Sequence, residues 1–235
     1  MILAINTSTS QYGLALMQKR GTVLEEYLIS SGTKNFRGFM PALTSLLTSS
    51  GVSAEDLEAI VVAIGPGSFT GLRVGLSAAK GIAQGLKIPV IGVSSLEAMA
   101  NQLTQANLPV YAVISSRRGE VNVALFNWDK EKGMIRKGED DAIKFSRLSA
   151  IINSPTLFIG NDINNQEGPI KEVLGEDAFL APRHLWGLRA SSVGVLGLKR
   201  LRDGDFDDIR DLVPVYLRPP DIRTNPGPVK SNKHW

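Results

Sequence analysis

Apolar residues in the first hundred positions follow two different periods, and each period predicts a different element. Residues 2–6 form a short apolar run, residues 11–18 alternate weakly through Tyr12, Leu14 and Leu16, and residues 22–30 are interpreted as a third strand after the turn at 19–21. Because only short turns separate these strands, they form an antiparallel meander. Apolar residues in 34–50 then recur at the helical spacing, which predicts a helix that ends at Gly51.

The next elements alternate between buried strands and helices. The pattern predicts a strand over 57–64, a helix over 70–86, a strand over 88–93 and a helix over 95–103. Together with the meander, this gives the order β-β-β-α-β-α-β-α. That order is typical of a ribonuclease H-like domain.

The pattern restarts near residue 108, more weakly. It predicts strands over 109–115, 120–128, 134–143, 156–159 and 178–181, and helices over 146–153, 166–174 and 191–202. We therefore predict an α/β protein with a duplicated ribonuclease H-like fold, as in actin, Hsp70 and sugar kinases. Its two lobes would each hold a mixed five-stranded sheet flanked by helices. The predicted lobes are 1–105 and 106–218, and 219–235 is expected to form a flexible tail.

Residues 65–73, Gly-Pro-Gly-Ser-Phe-Thr-Gly-Leu-Arg, link a predicted strand to a predicted helix. The loop is a tight turn without a ligand, or an anion site at a helix N-terminus. It is not a phosphate-binding P-loop, because no lysine follows until Lys80. It also departs from the dinucleotide fingerprint, since Thr70 takes the third glycine position and no acidic residue ends the next strand.

Composition excludes several classes of chemistry. The 235 residues include no cysteine, which excludes disulfides, thiolate zinc sites and thiol catalysis, and the two histidines lie far apart in sequence. The longest apolar run is about six residues, too short to cross a membrane, so a cytoplasmic protein with no membrane contact is expected. The net charge of +3 resides in 214–235, so it does not by itself indicate a nucleic-acid surface.

In the predicted architecture, the first strand of each lobe normally ends in an acidic residue that serves a metal ion. Here those positions hold Asn6 and Ser115, which are neutral and weak ligands for a hard cation. We therefore predict no catalytic residue and no metal site in this chain. A degenerate phosphate or nucleotide cleft is predicted at Asn6, Thr7, Ser8, Gly65, Gly67 and Ser68. A turn role for Asn6 is the competing interpretation.

Small residues spaced by four along helix 70–86 form a ridge that lets another backbone come close. The ridge predicts a helical interface with another subunit, or burial of the two N-terminal helices on each other and the sheet. Under the interface hypothesis, Gly75→Leu abolishes partner binding without unfolding the chain. The predicted interface residues are Phe36, Phe39, Met40, Leu43, Leu46, Thr70, Gly71, Arg73, Val74, Gly75, Ala78 and Ala79.

Three stretches together resemble the TsaB/YeaZ family: 2–9, 65–75 and 92–96, with a similar C-terminal signature at 213–218. The resemblance is strong over 1–105 and weak over most of 106–212. It implies a non-catalytic subunit of the bacterial machinery that makes threonylcarbamoyladenosine on tRNA. Such a subunit binds a catalytic TsaD-type paralogue through its first two helices, and a TsaE-type ATPase joins the pair.

The resemblance also implies that the same helices can form a homodimer, that tRNA is met only through the complex, and that no peptidase activity is present despite the older M22 glycoprotease label. No cofactor is expected to be held firmly by this chain, with ATP and a divalent metal in the partner subunits. The sequence departs from the family at Asn6, at 35–38 and at 115–117. Two alternatives stay open, an ATP-binding or ATP-hydrolysing enzyme of the actin/Hsp70 fold and an RNA-binding module that uses the basic tail.

Overall fold

The computed structural model of the chain describes residues 1–30 and 36–218. Two five-stranded sheets and six α-helices make up this part of the chain. The strands are β1 Ile2–Asn6, β2 Gln11–Met17, β3 Val23–Ser30, β4 Ala59–Gly65, β5 Val90–Ser94, β6 Val110–Ser115, β7 Glu120–Asp129, β8 Gly133–Lys144, β9 Thr156–Gly160 and β10 Ala178–Leu180. The helices are α1 Phe39–Ser50, α2 Phe69–Leu86, α3 Ser95–Ala100, α4 Leu148–Ile151, α5 Ile163–Leu174 and α6 Ala190–Arg202.

The two sheets have the same topology, which confirms the predicted duplication. The first sheet has the order β3-β2-β1-β4-β5 and the second has the order β8-β7-β6-β9-β10. In each, three antiparallel strands form a meander, and the two later strands add in parallel to the first strand. This is the ribonuclease H-like arrangement that the sequence predicted for each half.

Some helix boundaries differ from the predicted ones. Helix α1 begins at Phe39 after a single 3-10 turn at 36–38, and the predicted start at residue 34 lies outside the described residues. Helix α3 ends at Ala100 rather than at 103, because Leu103 is buried from a turn beyond the helix and so continues the apolar pattern without continuing the helix. The tail 219–235, expected to be flexible, also lies outside the described residues.

The first sheet is buried on both faces. Along β1, Leu3 and Ile5 pack in a core beneath α1 and α2, whereas Ile2 and Ala4 pack in a larger core between the sheets. This explains why the central strands are continuous apolar runs rather than alternating ones.

Helix α6, the last helix in the described residues, packs on the first sheet rather than on the second. Helix α6 contacts all five strands of the first sheet. Gly194 and Gly197 lie where the helix comes closest to the sheet. A methyl group at Gly197 would collide with Val61, and one at Gly194 would collide with the sulfur of Met17. Helix α3, from the first half, packs against β6 in return. The halves are therefore interlocked by an exchange of helices.

The segment 203–218 runs back along the first sheet and reaches the second. The Val215 N–H donates to the Ile64 carbonyl at 2.7 Å, and the Gly92 N–H donates to the Asp207 carboxylate at 2.7 Å. At the far end, the Arg218 guanidinium donates to the Ala142 carbonyl at 2.8 Å. In the part of the chain that the structure describes, no helix is both long and apolar enough to cross a membrane.

Candidate functional site

The glycine loop rests directly on the turn between β1 and β2. The Ser68 N–H donates to the Ser8 carbonyl at 2.7 Å, and a side chain at Gly67 would collide with that same carbonyl oxygen. The Ser68 hydroxyl accepts the Gly71 N–H at 3.2 Å and so caps α2. Gly65 has a φ of 121° and lies under the Val215 carbonyl. These backbone contacts explain the loop without a ligand.

The small-residue ridge of α2 faces the inside of the chain. A methyl group at Gly71 would collide with the Thr7 carbonyl, and one at Gly75 would collide with the Thr7 hydroxyl. Ala79 and Ala83 continue the ridge into the core beneath the first sheet. The expectation that this ridge faces a partner is therefore corrected, because internal packing already uses its close approach. The same contacts contradict the expectation that Gly75→Leu leaves the chain folded.

The apolar stripe of α1 is likewise turned inward. Phe39, Leu43 and Leu46 are almost fully buried, and the rings of Phe36 and Phe39 lie 5.8 and 6.0 Å from the Tyr12 ring. Burial raises the pKa of the Tyr12 hydroxyl. Three of the predicted interface residues on α1 thus belong to the core.

Other predicted interface residues do reach the surface, where they line a groove of about 570 Å³ between α1 and α2. Met40 is 54% exposed and Phe69 is 38% exposed, and the Arg73 guanidinium stacks 3.9 Å from the centre of the Phe69 ring. The groove is lined by Phe36, Arg37, Phe39, Met40, Phe69, Thr70, Arg73, Val74, Ser77 and Ala78. This mostly apolar surface is defined below as the α1–α2 groove.

Asn6 holds the turn that follows β1. Its side-chain oxygen accepts the Ser8 N–H at 3.0 Å and the Ser8 hydroxyl at 2.7 Å, and its amide donates to the Leu188 carbonyl at 2.8 Å. Asn6 and Thr7 are fully buried. The turn interpretation of Asn6 therefore accounts for its contacts to Ser8, whereas its hydrogen bond to Leu188 ties β1 to the segment before α6.

The equivalent position of the second half is also occupied by neutral polar groups. The Ser115 N–H donates to the Asn161 side chain at 2.7 Å, and the Gln166 amide donates to the Ser115 hydroxyl and to Asn161, both at 3.1 Å. Gln166 is 1% exposed, so this is a buried amide network. Sequence reasoning missed Asn161 and Gln166, because nothing in the local pattern signals that they meet.

Two of the acidic residues that follow α6, Asp205 and Asp207, accept hydrogen bonds from within the chain. Arg200 donates to Asp205 at 2.6 and 2.9 Å, to Asp207 at 3.1 and 3.2 Å and to the Gly92 carbonyl at 2.9 Å. The hydrogen bond from Arg200 lowers the pKa of Asp205. Across residues 1–30 and 36–218, no three acidic, histidine or cysteine residues are placed to hold a metal ion.

The two halves enclose a cleft in which the loops after β1, β4 and β6 meet. One part, of about 480 Å³, is lined by Ser8–Ser10, Phe36, Ser68, Thr70, Ser115, Ser116 and Asn161–Asp162. A second part, of about 370 Å³, is lined by Pro66–Phe69, Ser115–Arg117, Asn122 and Tyr216–Arg218. Of the residues predicted for a phosphate or nucleotide cleft, Ser8, Gly67 and Ser68 line these cavities, whereas Asn6, Thr7 and Gly65 do not.

Residues 216–218 also line the cleft, and the sequence patterns did not predict this. The Tyr216 ring lies 5.3 Å from the Phe69 ring at the start of α2, and Arg218 reaches over β8. Arg117 lies in the exposed hairpin between β6 and β7, where it lines the cleft as well.

A family model described as TsaD, tRNA N6-adenosine threonylcarbamoyltransferase, matches residues 34–218. The tRNA threonylcarbamoyladenosine biosynthesis protein TsaB of Bacillus subtilis is 33% identical over 221 residues, which are 92% of this chain and 93% of that protein. The Escherichia coli protein of the same name is 38% identical over 60% of this chain and 61% of its own length.

Solved structures show the same fold. A crystal structure of a Pseudomonas aeruginosa protein with similarity to peptidase YEAZ superposes with a TM-score of 0.77 at 24% identity, covering 92% of this chain and 99% of that one. The likeness extends to an ADPNP-bound dehydratase activator from Clostridium difficile, at a TM-score of 0.50 and 10% identity. The duplicated ATPase-like fold is confirmed, and by its sequence the chain belongs to the TsaB family.

Proposed function

We propose that this chain is a non-catalytic subunit of the bacterial machinery that makes threonylcarbamoyladenosine on tRNA. In this proposal it docks a TsaD-type catalytic paralogue on the α1–α2 groove and thereby organises the active site of that partner. Family membership supports the pathway, and the groove supports the docking surface. ATP and a divalent metal would be held by the partner subunits.

The observation that carries the docking surface is the exposure of apolar side chains along the groove. The side chains of Met40 and Phe69 are exposed to solvent. Val74 and Ala78, which line the same groove, are half-buried. Apolar side chains that share a continuous groove, with an arginine at its edge, are typical of protein interfaces. The same surface could serve a homodimer, and a TsaE-type ATPase and tRNA would join through the complex.

The alternative, an ATP-hydrolysing enzyme of the actin/Hsp70 fold, is less compatible with the side chains at the ends of β1 and β6. Phosphoryl transfer uses hard cations held by carboxylates. The two strand ends that would supply these groups present Asn6 and Ser115, and both are engaged in hydrogen bonds within the chain. The geometry therefore favours the accessory subunit.

The docking surface is tested by charged substitutions on the groove. Met40→Asp and Ala78→Arg place charges on the apolar wall and should abolish co-purification with a TsaD-type protein, together with the stimulation of threonylcarbamoyl transfer. Ile151→Asp is the matched control, because Ile151 is 46% exposed on α4, in the other half of the molecule. Retention of partner binding by both groove variants would refute this surface, and no change in transfer when the chain is omitted would refute the accessory role.

A further inference from the structure

We infer that β3, the outermost strand of the first sheet, pairs antiparallel with β3 of a second copy of this chain. The pairing joins the two five-stranded sheets into one continuous sheet across a two-fold axis. This surface is separate from the α1–α2 groove, and the inference does not depend on the proposed function.

Strand β3 is open along its outer edge. It pairs with β2 on one side, and among the described residues no strand lies on its other side. An open edge presents a row of backbone N–H and C=O groups to which another strand can add. The register shift of the β2–β3 ladder falls at the start of β3, so the strand pairs regularly from Glu25 to Ser30.

The other three sheet edges are each protected. Strand β5 is covered by the segment after α6, because the Asp207 N–H donates to the Val90 carbonyl at 3.1 Å and the Asp207 carboxylate accepts the Gly92 N–H at 2.7 Å. Strand β10 has only three residues. Strand β8 carries six charged side chains among its twelve residues, and Gly138 within it has a φ of 82°. Covering, shortness and charge all prevent strand addition at an edge.

The two acidic side chains of β3 are held on the faces of the sheet. The Glu25 carboxylate accepts the Ser49 hydroxyl of α1 at 2.7 Å, and the Glu26 carboxylate accepts the Ser191 N–H of α6 at 2.8 Å. Both carboxylates are therefore engaged by the helices that cover the sheet. The apolar Leu28, by contrast, is 40% exposed. Strand β3 thus combines an open backbone edge with an accessible apolar side chain.

The sequence of β3 complements itself in one antiparallel register. With Leu28 on the two-fold axis, this residue lies opposite its own copy. Tyr27 then lies opposite Ile29 of the other copy, and Glu26 lies opposite Ser30. Apolar side chains therefore meet apolar ones, and each carboxylate meets a hydroxyl. An axis at Tyr27 would pair both carboxylates of the strand with apolar side chains, and an axis at Glu26 would oppose two carboxylates.

This complementarity identifies the occupant of the edge. Because a two-fold axis brings the same strand to itself, a second copy supplies the matching sequence without any further requirement.

Sedimentation equilibrium of the full chain measures the association. All chains carry Met40→Asp, so that a homodimer through the α1–α2 groove does not contribute. In this background, Leu28→Lys places a charge on the axis and should weaken self-association at least about tenfold. Phe179→Lys is the matched control and should leave association unchanged, because Phe179 is 48% exposed on β10, an edge strand of the second sheet. A monomeric Met40→Asp chain, or unchanged association of the Leu28→Lys chain, would overturn the inference.

A single cysteine tests the register. The chain has no cysteine, so Leu28→Cys introduces its one thiol. Directly opposite residues of an antiparallel pair have Cα atoms about 4.5–5.5 Å apart, which a disulfide can span. Air oxidation should therefore give a covalent dimer on a non-reducing gel.

The control for the register is Ser30→Cys on the same strand. Its two copies would lie four residues apart along the paired strands, about 13 Å, so this variant should stay uncross-linked. Absence of the Leu28→Cys dimer, or equal cross-linking of both variants, would overturn the inference.

Discussion

The hydroxyl oxygen of Thr7 lies so close to Gly75 that no methyl group fits between the turn after β1 and helix α2. Together with the close approach of Gly71 to the Thr7 carbonyl, this contact sets how closely the glycine-rich helix approaches the first sheet. It also explains a glycine in the interior of a helix, where glycine costs about 1 kcal/mol relative to alanine.

Gly75→Ala should therefore destabilise the protein in spite of the better helix propensity of alanine. Overpacking typically costs about 1–3 kcal/mol, so a net loss of up to about 2 kcal/mol in the free energy of unfolding is expected after the propensity gain of about 1 kcal/mol is subtracted. Urea denaturation followed by circular dichroism measures the loss.

Gly81 on the same helix provides the matched control. It is exposed, and a methyl group there would meet nothing within 4 Å. Gly81→Ala should stabilise the chain by up to about 1 kcal/mol. If both alanine variants were stabilising, the close packing of Thr7 on Gly75 would be wrong.

Asn6→Asp should destabilise the chain, and more strongly at neutral than at acidic pH. The substitution removes the amide that donates to the Leu188 carbonyl and places a buried carboxylate against that oxygen. Loss of about 1–3 kcal/mol is expected from the unpaired carbonyl. Burial should raise the pKa of the introduced carboxyl, so the loss should grow as the pH rises above about 4.

Thermal unfolding of this variant between pH 4 and pH 8 measures that dependence. Asn127→Asp, on an exposed position of β7, is the control and should follow the wild-type profile. A pH profile of Asn6→Asp parallel to that of the wild type would contradict the role assigned to the Asn6 amide.

Arg200→Gln should loosen the segment 203–218 from the first sheet. The guanidinium joins Asp205, Asp207 and the Gly92 carbonyl, and the segment beyond it is held by the hydrogen bond from Val215 to Ile64. The expected result is a severalfold lower hydrogen-exchange protection of the Val215 amide at neutral pH. Arg202→Gln, which removes an exposed arginine of the same helix, should leave that protection unchanged.

The effect of Arg200 should also depend on pH. Since its hydrogen bond lowers the pKa of Asp205 below the usual 3.8, the folded state favours the charged carboxylate. The resulting stabilisation is complete above the unfolded pKa and is lost as the pH falls through the lowered folded pKa. The difference in protection between wild type and Arg200→Gln should therefore shrink below pH 3.8, and a constant difference would argue against this ion pair.

Much of the fold could be predicted from the sequence because its elements have clear hydrophobic periods. The meander, the strand before the glycine loop and helix α2 were predicted within two residues of their observed bounds. The end of α3 was predicted three residues too late, because Leu103 is apolar and buried yet lies beyond the helix. The apolar pattern reports burial, and it reports the backbone conformation only indirectly.

The candidate site was predicted less completely. Ser8, Gly67 and Ser68 of the predicted cleft line the observed cavity, and so do Asn122 and Tyr216, which could not be predicted because they lie 54 and 148 residues beyond Ser68 and no local motif connects them. The small residues of α2 were correctly taken as a sign of close backbone approach. Which neighbour approaches could not be predicted, because a sequence pattern carries no information on whether the contact lies inside or outside the chain.

The sequence by itself determined the order of elements, the duplicated topology and the family, since period, turn chemistry and motif are local properties of the chain. Only the tertiary structure decided that Gly75 faces Thr7, that α6 crosses to the first sheet, and that Tyr216 and Asn122 share one cavity. The physical reason is that burial can be satisfied by many partners of similar apolarity. Packing, and the requirement that buried polar groups find partners, selects one of them.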